Sequence, residues 1–222
     1  MANVSMGEIE VLAKSGKLVA YFGYGSLVNR HTLRTNIVHA MPAKLHGWRR
    51  LWRASPREAG LHAALLSVRR DENSSVDGLL VFDYLENLPA VDLREENYDR
   101  RSVLPEQIEI VMPFPDGIPI FVYEAHQYAP VHPQPPMILQ SYLDAVMQGF
   151  LVEHGEEGLR RFVLKTEYFN TPIYRDRPSP AYPRAVKLSD KEIDMFDRLL
   201  EEIGANFADP QDIDEAAAAD AK

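Results

Sequence analysis

Residues 20–28 read Ala20-Tyr21-Phe22-Gly23-Tyr24-Gly25-Ser26-Leu27-Val28, and this stretch orders the rest of the chain around it. An apolar run, Leu18 to Phe22, suits a buried central strand. It enters a glycine-flanked turn, and Asn29 stands ready to cap a short helix beginning near Arg30. Without Cβ atoms in the way, backbone N–H groups at such a turn approach a ligand closely. A helix N-terminus behind the turn would add partial positive charge. The combination predicts a socket for a carboxylate or a developing oxyanion. It is not a dinucleotide fingerprint, because Val28 stands where the third glycine belongs, and no Gly-Lys-Ser/Thr follows to make a phosphate loop.

Composition narrows the class. The chain has 222 residues, 45% hydrophobic and 26% charged, as expected of a globular protein with a sizeable core. It has no cysteine, which excludes disulfides, thiol nucleophiles and thiolate metal sites and fits a cytoplasmic location. A net charge of −9 argues against nucleic acid as partner. No apolar run approaches the ~20 residues of a membrane span. Met1 to Gly16 lacks an apolar h-region and carries Glu8 and Glu10, so no signal peptide is expected.

The pattern predicts three segments: a flexible N-terminal arm over 1–16, a single domain over 17–204 with a helical C-terminal part, and an acidic disordered tail over 205–222. Strands are expected at 18–22, 43–53, 61–68, 76–84, 102–112 and 118–125, with a hairpin turn at Asp71-Glu72-Asn73-Ser74-Ser75. A short helix is expected over 85–95. Leu139, Tyr142, Leu143, Val146 and Phe150 mark one helix face, and Leu159, Phe162, Val163 and Thr166 another. Ser189-Asp190-Lys191-Glu192 is a capping box opening a last helix that Gly204 stops. Strands first and helices later indicate an α+β fold.

A second landmark is Val91-Asp92-Leu93-Arg94-Glu95-Glu96-Asn97-Tyr98. Charges alone suggest a solvated helix face. Together with the Tyr24-Gly25-Ser26 loop after the first strand, however, the segment resembles the γ-glutamylcyclotransferase (AIG2-like) superfamily. That family follows its Tyr-Gly-Ser loop with a glutamate in a Leu-Asp-x-Arg-Glu setting and a tyrosine shortly after. Val91 replaces the leucine, Asp92 and Arg94 match, and the glutamate is Glu95, with Tyr98 following. The resemblance covers about residues 18–150. It implies a small, partly closed mixed β-barrel with packed helices, and an enzyme that cyclises a γ-glutamyl amide or peptide to 5-oxoproline, releasing an amine or amino acid. It implies Glu95 as general acid/base. Substrate would be held by Tyr24, Gly25, Ser26 and Leu27, mainly through their backbone, and by Tyr98 and Tyr123. The substrate is a small γ-glutamyl molecule; no cofactor, metal, nucleic acid or membrane is implied.

Chemistry adds expectations of its own. A free glutamate titrates near ~4.3, and burial would make it a better proton carrier. On a helix, neighbouring side chains diverge by about 100°, so Arg94 is expected to point away from Glu95. Glu96 is the rival carboxylate. Ser26 lacks the Gly-x-Ser-x-Gly elbow of a serine nucleophile. The alternative to an enzyme is a non-catalytic module binding a γ-glutamyl or carboxylate ligand; a third class is a hydrolase using Ser26. Trp48 to Arg53 reads as a strand with snorkelling arginines. His126 and His132 lack metal-ligand spacing. Arg175, Arg177 and Arg184, in or beside the proline-rich loop 170–183, are candidates for a leaving-group carboxylate.

Overall fold

The computed structural model describes residues 6–55, 62–111, 115–126 and 135–208. The part of the expected acidic tail from 209 onward, and His132, lie outside these residues. The chain groups into two compact units where the sequence pattern indicated one domain: residues up to Arg50 with Ser67–His126, and Leu51–Leu66 with Gln127 onward.

In the first unit, helix α1 (Met6–Lys14) opens the chain. The sequence reading expected a loose arm here, but Ile9 is buried and the helix packs against the first strand. Strand β1 (Leu18–Gly23) is buried along its whole length. Strand β2 (His39–Ala54) and strand β3 (Ala63–Tyr84) are long, and each contributes to both units. The expected hairpin at 71–75 is absent, because β3 runs through it unbroken. Its polar residues face outward as β3 pairs with β2, and Asp71 accepts from Arg49 Nε at 2.5 Å. Polarity there marks exposure rather than a reversal of the chain.

Helix α2 (Leu88–Arg94) follows a 3-10 turn at Leu85–Asn87, with Pro89 in its first turn, where a missing N–H costs nothing. Of the strand expected over 102–112 only β5 (Ile108–Ile110) forms, after a 3-10 turn that Pro105 opens, while β4 (Tyr98–Ser102) precedes it and overlaps the expected span only at Ser102. Strand β6 (Ile120–Ala125) completes the unit. Within it the strand order is β4-β6-β1-β3-β2-β5. β1 runs antiparallel to β3, Gly23 opposite Leu79, and parallel to β6, Phe22 opposite Val122. The sheet is mixed.

In the second unit, β7 (Met137–Leu139) pairs parallel with the start of β3. Helix α3 (Gln140–Lys165) merges the two expected helices and is broken at Gly155, whose φ of 65° suits glycine. Strand β8 (Ile173–Tyr174) lies within the proline-rich stretch. Helix α4 (Asp190–Glu202) carries the expected capping box: Ser189 N donates to Glu192 Oε2 at 2.7 Å, and Glu192 N donates to Ser189 Oγ. Gly204 follows with φ 67°. Strand β9 (Phe207–Ala208), at the start of the expected disordered tail, pairs with β8. Phe150 stacks on Phe162, with ring centroids 4.7 Å apart, inside this unit's core.

Candidate active site

The candidate residues of the first unit collect where β1 ends. β1 delivers Gly23 to a tight turn, and a 3-10 turn at Ser26–Val28 folds back on it. A Cβ on Gly23 would lie 2.6 Å from the Leu27 Cβ, so this close return requires glycine. Gly78 serves the same purpose from β3, where a Cβ would collide with the Gly23 carbonyl oxygen. The helix expected from Arg30 is only a 3-10 turn, Arg30–Thr32, with the Asn29 side chain accepting from His31 N at 3.0 Å. The dipole of a longer helix is therefore not available to the turn. Its N–H groups are: no described residue accepts from the backbone of Gly25, Ser26 or Leu27.

Tyr24 is buried and committed to structure. Its hydroxyl donates to the Tyr123 carbonyl oxygen, and its own carbonyl accepts from Arg50 Nη1 at 3.1 Å. Arg50 does not snorkel as expected; it is buried, and it also donates to the Asp77 carbonyl at 3.1 Å. A buried cation is tolerated when its donors are filled in this way.

Glu95 sits at the C-terminal end of α2, where the backbone has left helical angles (φ −100°, ψ 31°). This corrects the expectation for Arg94. The rule of diverging neighbours applies within a helix, and Glu95 lies one residue beyond it. Arg94 Nε stands 2.9 Å from Glu95 Oε1, with the two side chains only 9% and 14% exposed. The Arg94 Nε–H is not aimed along that line, so the attraction is ionic rather than a formed hydrogen bond. The guanidinium also donates from Nη1 to the Thr32 carbonyl at 2.7 Å and from Nη2 to Ser26 Oγ at 3.2 Å. Thr32 Oγ1 in turn donates to the Ser26 carbonyl at 2.6 Å. One arginine thus joins the glycine turn to the glutamate. Glu96 is exposed.

Tyr98 begins β4 with its N–H on the Glu95 carbonyl oxygen at 2.8 Å, which holds it in the turn that follows Glu95. Tyr123, on β6, points its hydroxyl at Asp92 Oδ1, 2.7 Å away, while Arg100 Nη1 donates to Asp92 Oδ2 at 2.6 Å. Burial, and then the Asp92 charge, push the Tyr123 phenol above its ordinary range, so it remains a donor.

Sequence reasoning missed Asp83. This buried carboxylate accepts from Tyr21 (3.2 Å), Thr35 (2.7 Å), Tyr84 N (2.8 Å) and Asn87 (2.7 Å), and so ties β1 and the start of α2 to β3. Burial, followed by the Asp83 charge, raises the Tyr21 phenol out of its ordinary range. The available signal was an acid at the end of the apolar run Leu79–Phe82. In the second unit, Arg177 is occupied by Asp144 and Asp197, Arg175 lies over Phe207 and Arg184 over Tyr182.

A glycine turn with open N–H groups lies beside a largely buried carboxylate on an α+β frame. No protein-family model matches the sequence, and no curated protein matches it. Among solved structures the chain resembles one described as gamma-glutamyl cyclotransferase, with a TM-score of 0.50 and 16% identity over 82% of this chain and 99% of that one. A second, an uncharacterized protein from Homo sapiens, matches with the same score, identity and coverage. The fold is that of gamma-glutamyl cyclotransferase. No helix among the described residues is long and apolar enough to cross a membrane.

Proposed function

We propose that the chain is a γ-glutamylcyclotransferase-type enzyme, cyclising a γ-glutamyl amide or peptide to 5-oxoproline with Glu95 as general acid/base. The observation that carries this reading is the bridge Ser26–Arg94–Glu95, which puts the turn and the carboxylate of two distant sequence motifs at one place. The fold likeness supports it.

In this scheme the substrate's α-amine, largely protonated at neutral pH, gives a proton to Glu95. The freed amine attacks the γ-carbonyl, and the C–N bond of the five-membered lactam forms. The N–H groups of Gly25, Ser26 and Leu27 receive the oxyanion or a substrate carboxylate. Collapse breaks the original amide C–N bond as the proton on Glu95 passes to the leaving nitrogen; the ionised Glu95 then takes the second proton from the new ring nitrogen, and the departing amine takes it up to leave as an ammonium. Water is not consumed, and atoms balance between one substrate and two products. Because attack is intramolecular, holding the substrate in its folded form supplies much of the acceleration.

The test is a mass-spectrometric screen of γ-glutamyl peptides and γ-glutamyl amines for released 5-oxoproline, with Glu95→Gln as control. Turnover that Glu95→Gln abolishes supports the reading. Tight binding of γ-glutamyl ligands with no product would establish a binding module instead.

A further inference from the structure

We propose that Arg94 is a positioning residue that couples the Ser26 turn to the Glu95 carboxylate. The inference rests on the reading of Glu95 as proton carrier. Three sides of one planar group make the coupling: Nη1 on the Thr32 carbonyl (2.7 Å), Nη2 on Ser26 Oγ (3.2 Å) and Nε facing Glu95 Oε1 (2.9 Å). A guanidinium presents donors in a fixed fork, so fixing any two partners fixes the third; a lysine ammonium cannot span the same set.

Burial adds to the coupling. The Arg94 side chain is 9% exposed, and an anion beside it offsets part of the cost of burying its charge. Glu95 supplies that charge, which opposes any swing of the carboxylate into solvent. Because the Nε–H is off the line to Oε1, the attraction holds the carboxylate without a linear hydrogen bond to it. The carboxylate is thus held beside the turn.

The Ser26 hydroxyl is oriented by the same group. Its oxygen accepts from Arg94 Nη2, so its own proton is directed elsewhere, and the adjacent cation weakens the oxygen as a nucleophile. This counts against Ser26 as a nucleophile.

The experiment compares the full chain with Arg94→Ala, Arg94→Lys and Glu95→Gln, reading 5-oxoproline release from γ-glutamyl dipeptides. In Arg94→Ala, kcat should fall about 10- to 100-fold with KM changed less than about threefold, the loss expected for misplacing a reacting group by about 1 Å. Millimolar guanidinium should restore a good part of that rate and leave Glu95→Gln unaffected. Arg94→Lys should lie between. A folded Arg94→Ala with wild-type kcat, a loss that guanidinium does not relieve, or an Arg94→Lys equal to wild type would each overturn the proposal. If Arg94→Ala does not fold, Arg94→Gln replaces it in every arm. If the wild-type chain turns over no γ-glutamyl substrate, the functional reading fails, and the coupling is judged by urea unfolding alone. Double-mutant cycles of Arg94→Gln with Ser26→Ala and with Glu95→Gln should then be non-additive, and additivity would overturn it.

Discussion

The phenol of Tyr123 donates to Asp92 Oδ1 at 2.7 Å, across 31 residues of sequence, and so joins β6 to α2 one turn before Glu95. This relation makes Tyr123 a support for α2. Tyr123→Phe should cost about 0.5–1.5 kcal/mol in urea unfolding and leave KM within a few-fold. Asp92→Ala, which releases both Tyr123 and Arg100, should cost more. A large KM rise in Tyr123→Phe at unchanged stability would put the phenol on the substrate instead.

Glu95→Gln keeps the size of the side chain and removes its proton-carrying ability. Turnover should fall by about two to four decades, the range for a lost general acid/base, while the fold is retained. Circular dichroism with steady-state kinetics checks both parts. Loss in Glu96→Gln in place of Glu95→Gln would move the role by one residue.

The glycine turn should be more sensitive to backbone than to side chain. Gly23→Ala puts a Cβ 2.6 Å from the Leu27 Cβ, and the buried Leu27 can give way only by moving the turn. Its kcat/KM should fall well below that of Ser26→Ala, which keeps every backbone group. An acyl adduct trapped on Ser26 in the wild type would point to a serine nucleophile.

Arg177 is a structural cation of the second unit. It holds the buried Asp144 at 2.7 and 2.9 Å and Asp197 at 2.8 Å. Burial pushes the Asp144 carboxyl up, and Arg177 pulls it back. Arg177→Ala strands that carboxylate and should cost about 3–5 kcal/mol. The expectation that Arg177 reads the leaving group is thereby tested as well: a selective KM rise for γ-glutamyl amino acids over γ-glutamyl amines, at unchanged stability, would revive it.

Acid should weaken the α4 cap. Burial pushes the Glu192 carboxyl up, but hydrogen bonds from the Ser189 backbone and side chain and from Gln148 more than offset it, leaving the group below its ordinary value of 4.5. Lowered in the folded state, it contributes stability above 4.5 that is lost as pH falls through the lower folded value. The stability gap between wild type and Glu192→Gln should therefore shrink from about pH 6 to pH 3 in urea titrations. A gap that is constant with pH would show that the carboxylate adds nothing to the cap.

Much of this was legible locally. The Ser189/Glu192 box and the apolar β1 each follow from a few adjacent residues. What the sequence concealed depends on partners far along the chain. The polar residues 71–75 look like a turn until β2 is known to lie beside them. The start of the chain looks loose until Ile9 is found against β1. The Arg94–Glu95 contact escaped notice because a helical rule was carried one residue past the helix. The Asp144–Arg177–Asp197 cluster joins residues whose spacing forms no motif.

The pairing of β1 bears on how the molecule is made. Its two neighbours are Leu79–Tyr84 and Ile120–Val122, both far downstream. During synthesis, which proceeds from the N-terminus, the glycine turn has no frame until some hundred further residues have emerged. The apolar segment Leu18–Phe22 must wait meanwhile with its edges unpaired, a slow and aggregation-exposed interval. The second edge of β1 is closed only by residues near 120, almost a hundred positions beyond the turn it supports.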